Sequence, residues 1–261
     1  MWDPAQYLRF GDERSRPFFE LTARIAAEAP SAVVDLGCGP GTLTAALARR
    51  WPGAEVRGID SSAEMIETAQ ALPDADGRRL SFALGDVRDF TPEFTPDGGV
   101  DVIVSNAVLQ WVPDHIAVVS RWAGFLRPGG WLAFQIPANF DQPSHRAIAD
   151  LVASDRWRPL LDGVALNRQS TDPAQYVDLL ARAGLEVDAW ETTYLHVLRG
   201  EDPVVDWYKG SGLRPVIAAL PPEEAGEFLA EFRARMAQAY PAAPYGTVFP
   251  FRRVFVVAVR R

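Results

Sequence analysis

Short apolar runs recur along this chain, separated by stretches of helical periodicity. Residues 32–36, 80–84, 100–105 and 131–136 carry few polar positions, which suits buried strands, and 55–60 reads as a further strand that ends in an acid. Between them, 42–50, 62–71 and 113–125 repeat their apolar residues at helical spacing. Ser61 or Ser62 stands as N-cap of the second of these, with Glu64 in its first turn, and Arg127-Pro128-Gly129-Gly130 stops the third. An earlier helix over 16–28 places Phe18, Phe19, Leu21 and Ile25 on one face. Strands alternating with helices predict an α/β fold with a doubly wound, mostly parallel sheet. A helix over 173–183, an alternating stretch over 186–195 and an apolar run over 251–259 complete it.

Two connections are longer than such a core needs, 139–171 and 196–250. Segments of that length in a compact domain are usually functional or helical in part. The second holds a plain helix over 223–240, whose Phe228, Leu229, Phe232 and Met236 recur on one face as the core of a lid. The expected organisation is one domain over 1–261: an N-terminal cap at 1–15, a core at 32–136, 173–195 and 251–259, and insertions at 139–171 and 196–250 that form a substrate lid.

The first strand runs into Asp35-Leu36-Gly37-Cys38-Gly39-Pro40-Gly41, where alternating glycines allow positive φ and close approach of a ligand. A strand, a glycine turn and a helix N-terminus make a nucleotide-type site, with free N–H groups and a helix dipole facing the ligand. The spacing is Gly-x-Gly-x-Gly rather than the dinucleotide Gly-x-Gly-x-x-Gly, and Asp35 suits a cation rather than a pyrophosphate. Both features weigh against a nicotinamide dehydrogenase. Asp60 ends the second strand, where this type of fold receives ribose hydroxyls, and Asp86 follows the third in Leu84-Gly85-Asp86-Val87. Taken singly, Asp35 and Asp60 also fit as helix caps. The crevice of an open α/β sheet lies beyond the carboxyl ends of its strands, so Asn106, Gln110 and Trp111 face it unless they only pack on the following helix.

The glycine loop with its following acids resembles motif I of the class I S-adenosylmethionine-dependent methyltransferases. The resemblance implies a Rossmann-like sheet of seven strands with the last two antiparallel, S-adenosylmethionine as cofactor and S-adenosylhomocysteine as product. It assigns Asp35, Gly37, Gly39 and Gly41 to the methionine end, Asp60 to the ribose and Asp86 to the adenine, with Ser61, Met65, Val87, Asn106 and Trp111 completing the cofactor set. Further stretches are similar to the branch of this family that esterifies trans-aconitate: Met1 to Leu8, Gln135 to His145, Trp190 to His196, Gly212 to Pro215 and Phe249 to Arg253. That similarity implies methyl esterification of one carboxylate of trans-aconitate or a close small polycarboxylic acid. An ionised carboxylate is already a nucleophile, so no catalytic base is expected and the work falls to orientation and electrostatics. Substrate candidates are Trp2, Tyr7, Gln110, His145, Tyr194, His196, Arg214, Arg252 and Arg253, the last two expected as a pair ahead of the final strand. Trp2 and Tyr7 either pack on the domain or close over the cofactor. The 74–79 connection and the 155–169 region depart from the pattern; Trp157 and Arg158 would alter acid selectivity if they reached the substrate.

Composition narrows the alternatives. The chain has 261 residues, 48% hydrophobic, which supports a sizeable core, and a formal net charge of −8 with no basic run, which disfavours nucleic acid as a partner. A small anion remains compatible if a few arginines converge. Cys38 is the only cysteine, and His115, His145 and His196 lack ligand spacing, so neither a disulfide nor a metal is expected. No run approaches the roughly 20 apolar residues of a membrane span, and 1–10 lacks signal-peptide character, so a cytoplasmic protein is expected. Oligomeric state stays open, with a monomer compatible. The competing functions are a methyltransferase for another carboxylate or a phenol, and a noncatalytic S-adenosylmethionine-binding regulator.

Overall fold

The computed structural model describes residues 11–75, 77–95, 99–166 and 172–261. The strands are β1 (Ala32–Leu36), β2 (Glu55–Asp60), β3 (Leu80–Leu84), β4 (Val100–Asn106), β5 (Leu126–Pro137), β6 (Leu185–Leu198), β7 (Ala242–Ala243) and β8 (Gly246–Arg260). The helices are α1 (Gly11–Thr22), α2 (Thr42–Arg50), α3 (Ala63–Gln70), α4 (His115–Gly124), α5 (Pro143–Val152), α6 (Arg158–Leu161), α7 (Pro173–Arg182), α8 (Pro203–Lys209), α9 (Arg214–Ala219) and α10 (Pro222–Ala239), with a 3-10 turn at Leu109–Trp111.

Burial explains why β1 is central. All its residues are buried, and it runs parallel to β2 on one side and β4 on the other, with Val33 opposite both Val56 and Val102. The pairings of β3 with β2 and of β5 with β4 are parallel as well. Strand order is β3-β2-β1-β4-β5-β8-β6, and the two-residue β7 pairs antiparallel with β8 as an addition to the expected set. Val33, Val34, Val102, Ile103, Val104 and Leu132 are fully buried. Each such side chain stabilises the fold by roughly 1.5–3 kcal/mol.

The chain divides into two compact units. Among the described residues, the sheet unit comprises those within 14–136, 172–191 and 254–261, and the helical unit those within 11–13, 137–166 and 192–253. Within the helical unit, α10 buries Phe228, Phe232 and Met236 in a core shared with Trp157, Trp207, Tyr208 and Phe249. Among the described residues no helix is long and apolar enough to cross a membrane.

Helix α1 also starts earlier than expected, at Gly11, and β5 at Leu126; three further boundaries differ from expectation for a local reason. Helix α1 ends at Thr22 rather than Glu28: the Arg50 guanidinium takes the carbonyls of Thr22 and Ile25, and the Thr22 hydroxyl turns back to Phe18 O at 2.9 Å. Phe19 lies exposed instead of joining Phe18, Leu21 and Ile25 in the core. Helix α4 begins at His115 because Asp114 adopts φ 53, which an α-helix does not continue through. Strand β8 begins at Gly246, not at Phe251, since β7 and β8 form a hairpin with Ala243 opposite Gly246.

Candidate active site

Parallel register brings the carboxyl ends of β1 to β5 to one edge of the sheet unit. Leu36 lies opposite Ile59, Asp60 opposite Leu84, and Asn106 opposite Gln135. The glycine loop, Asp60, Asp86 and Asn106 therefore share that edge. Ser105 Oγ donates to Leu36 O at 2.8 Å, tying β4 to the end of β1 just before the loop.

All three loop glycines have positive φ, at 83° for Gly37, 55° for Gly39 and 79° for Gly41. Two of them are forced by packing: a Cβ on Gly37 would lie 2.0 Å from Val108 Cγ2, and one on Gly41 would lie 2.7 Å from Phe82 Cζ. At Gly39 an added Cβ would meet nothing within 4 Å, so the loop opens to space there. The loop donors are not free, contrary to expectation. Gly37 N and Cys38 N both donate to Ile59 O, at 2.7 and 3.0 Å, and Gly39 N donates to Asp60 Oδ2 at 2.9 Å. A phosphate cradle needs those N–H groups outward; this loop spends them on β2.

The acids hold different states. Asp35 is 2% exposed and accepts from Thr44 Oγ1 at 2.6 Å. Burial, opposed by that hydrogen bond and reinforced by the nearby Asp60, pushes its carboxyl up to about 7. Asp60 bridges the loop and α3, accepting from Gly39 N and, through Oδ1, from Ser62 N at 2.9 Å. Ser62 is the N-cap of α3, its Oγ accepting from Met65 N at 3.4 Å, while Ser61 is exposed and Met65 buried. Asp86 is held by a fork from Arg88, Nε at 3.0 Å and the terminal nitrogen at 2.7 Å, a pairing that keeps its carboxyl below the ordinary range. Val87 is buried and its carbonyl accepts from Trp122 Nε1 at 3.1 Å.

At the β4 exit, Ala107 adopts φ 58. Gln110 is buried and its Nε2 donates to Ala107 O at 2.6 Å, whereas Trp111 is 50% exposed. Cys38 is buried, and burial with Asp35 and Asp60 nearby pushes its thiol far up, so it is no nucleophile.

In the helical unit the substrate candidates separate. Arg252 and Arg253 lie inside β8, where successive side chains point to opposite faces, so they do not form the expected pair. Arg252 is half-buried and its Nε donates to Ala138 O at 2.8 Å; Arg253 is buried with its guanidinium 4.6 Å from the Phe251 ring centre. Tyr194 and His196 are buried and stacked at 5.8 Å, and His196 also stacks on Trp207 at 5.2 Å. His145 packs against Phe140 and Tyr208, and burial lowers it to about 4, so it is neutral at pH 7 and supplies no counter-charge. Arg214 is half-buried at the start of α9. Trp157 is core: it packs on Phe228 and its Nε1 donates to Glu231 Oε2 at 3.2 Å, while Arg158 is exposed beside Asp155. Trp2 and Tyr7 lie outside the described residues.

A family model described as a methyltransferase domain matches residues 33–130, which span β1 to the start of β5. Trans-aconitate 2-methyltransferase of Streptomyces avermitilis is 51% identical over 98% of this chain and 96% of that protein. The chain belongs to the trans-aconitate 2-methyltransferase family. Members from Mycolicibacterium gilvum and Mycobacterium tuberculosis are 51% and 46% identical, covering 99% of this chain and 98% and 96% of theirs. Solved structures share the fold at low identity. A putative methyltransferase complexed with the Haloferax volcanii Trm112 activator gives TM-score 0.55 at 21% identity over 98% of this chain and 94% of its own. A Haemonchus contortus phosphoethanolamine N-methyltransferase with bound S-adenosylhomocysteine gives 0.53 at 16% over 94% and 52%.

Three residues of the edge escaped the sequence reading as site residues. Thr44, Val108 and Gln135 support Asp35, Gly37 and Asn106 respectively. Only Gln135 carried a signal of its own, as a lone polar residue within the apolar run of β5.

Proposed function

We propose that this member of the trans-aconitate 2-methyltransferase family esterifies one carboxylate of trans-aconitate, with S-adenosylmethionine as methyl donor. The near full-length match to relatives of that name carries the reading. The residues of the edge fit such a cofactor: a buried carboxylate at Asp35 favours a cationic ligand, Gly39 opens onto free space, and the committed loop donors disfavour a phosphate. The cofactor set we assign is Asp35, Gly37, Gly39, Gly41, Asp60, Ser61, Met65, Asp86, Val87, Asn106 and Trp111. Bound there, S-adenosylmethionine supplies an electrophilic sulfonium methyl and is left as S-adenosylhomocysteine.

The chain needs no proton-moving residue for this. The acceptor carboxylate, with an ordinary pKa near 4, is ionised at neutral pH. Placing it in line with the methyl is worth roughly 7–11 kcal/mol as an orientation effect. Loss of both charges during transfer favours a pocket without water. The carboxylates that do not react need cationic partners, for which we assign Arg252 and Arg214, with Arg253, Gln110, Tyr194 and His196 shaping the acceptor's surroundings and Trp2 and Tyr7 from the N-terminal segment. His145, being neutral, contributes a hydrogen bond rather than charge. We assign a cytoplasmic setting to this enzyme. Mass analysis of the product formed from labelled S-adenosylmethionine and trans-aconitate tests the reading: one added methyl supports it, and an unmodified acid alongside bound cofactor contradicts it.

A further inference from the structure

The amides at the ends of β4 and β5 form a pair that strand structure does not require. Asn106 and Gln135 are register partners, and Gln135 Nε2 donates to Asn106 Oδ1 at 2.6 Å. Gln135 is fully buried, as are its strand neighbours Phe134 and Ile136, whereas Asn106 is half-exposed at the edge. An amide in such a place costs stability unless its bonds are made, so an apolar residue would serve β5 better as packing. The main chain is braced at the same point: Ala107 N donates to Gln135 O at 2.9 Å, and Gln110 Nε2 holds Ala107 O. A non-glycine residue at φ 58 persists only where its surroundings over-determine it, and such positions cluster at binding sites.

We propose that Gln135 is a positioning residue of the methyl-transfer site, fixing the Asn106 amide so that Nδ2 is presented as a donor to a ligand carboxylate. The inference rests on the methyltransferase reading above. Because Oδ1 is turned to Gln135, the other branch of the Asn106 amide carries the donors. Were the amide reversed, a carboxylate would meet an oxygen. Two carboxylates share this chemistry: that of the acceptor acid and that of the cofactor's methionine end.

Gln135→Glu at pH 8 replaces the donor with an acceptor, which draws Asn106 Nδ2 toward itself and turns Oδ1 to the ligand. Loss of a hydrogen bond to a charged group should weaken the affected ligand about ten- to hundred-fold. Calorimetry with S-adenosylhomocysteine and steady-state KM for trans-aconitate separate the two carboxylates. A raised KM with unchanged S-adenosylhomocysteine affinity assigns the acceptor acid; weakened S-adenosylhomocysteine assigns the cofactor. Lowering the pH protonates the introduced carboxyl, restores a donor and shrinks the ratio to the parent, a recovery that a merely structural defect would not show. Gln135→Met should move the same parameter by a smaller factor, about three- to tenfold, without that pH recovery. It decides the matter should the first variant not fold. Folded variants whose KM and S-adenosylhomocysteine affinity both stay within about twofold of the parent overturn the proposal. A parent that does not bind S-adenosylhomocysteine overturns the methyltransferase reading and this proposal with it; a binding parent matched by its variants overturns this proposal alone.

Discussion

The Thr44 hydroxyl donates to the Asp35 carboxylate at 2.6 Å, joining the first helix after the glycine loop to the strand before it. Asp35 is pushed from 3.8 to about 7, so between those values the folded chain binds a proton that the unfolded chain has released. Stability of the ligand-free protein therefore falls as pH rises from about 4 to about 7, by on the order of 4 kcal/mol from this group. Urea denaturation across that range should show the decline, and Asp35→Asn should flatten it. Thr44→Val leaves the buried carboxylate without its donor and should cost about 1–3 kcal/mol.

The same carboxyl gives cofactor binding a pH dependence of opposite sense. A cationic ligand favours ionised Asp35, so affinity for S-adenosylmethionine should strengthen as pH rises toward about 7 and level off above it. Below that point each pH unit should weaken binding by up to about tenfold. Calorimetry at pH 6 and 8 checks this, and Asp35→Asn should remove the difference.

The glycines should separate by role. Gly37→Ala drives a Cβ to 2.0 Å from Val108 Cγ2 at φ 83 and should destabilise by more than about 3 kcal/mol, with Val108→Ala recovering part of the loss. Gly39→Ala meets no atom and should cost only about 1–2 kcal/mol for its left-handed backbone. Its methyl instead occupies the space over the loop, so S-adenosylhomocysteine affinity should drop while the melting temperature falls by only a few degrees, about 2–4 °C per kcal/mol.

In the helical unit, a buried hydroxyl network and a half-buried arginine should behave differently. Tyr208 OH lies 2.7 Å from Ser144 Oγ and accepts from Asn139 Nδ2 at 3.3 Å. Tyr208→Phe leaves both partners short of a bond and should cost about 1–3 kcal/mol of stability. Arg252→Ala should raise KM for trans-aconitate by about tenfold or more while leaving S-adenosylhomocysteine affinity unchanged, and Arg252→Lys should recover little, since a point charge does not replace a fork.

The centre of the sheet was legible because β1 is buried on both faces, and β2, β3 and α2 also fall at the residues that short apolar segments and turn residues mark. What pattern missed is tertiary. Nothing local to Thr22 announces that Arg50, distant in sequence, will take the carbonyls past it. The fate of the loop donors was equally hidden, since Ile59 O reaches Gly37 and Cys38 only through sheet register. Adjacency in sequence suggests that Arg252 and Arg253 act as a pair; within β8 the alternation sends them apart. Histidine charge was not legible either, because the burial that neutralises His145 comes from Phe140 and Tyr208 around it.

Esterification of trans-aconitate is put to the test by offering labelled S-adenosylmethionine with trans-aconitate, cis-aconitate, citrate, isocitrate and a simple phenol, each in turn, and identifying the products by mass. A monomethyl ester of trans-aconitate should form fastest, with the phenol unmodified. Methylation of the phenol in preference, or of none of the acids while S-adenosylhomocysteine still binds, would contradict it.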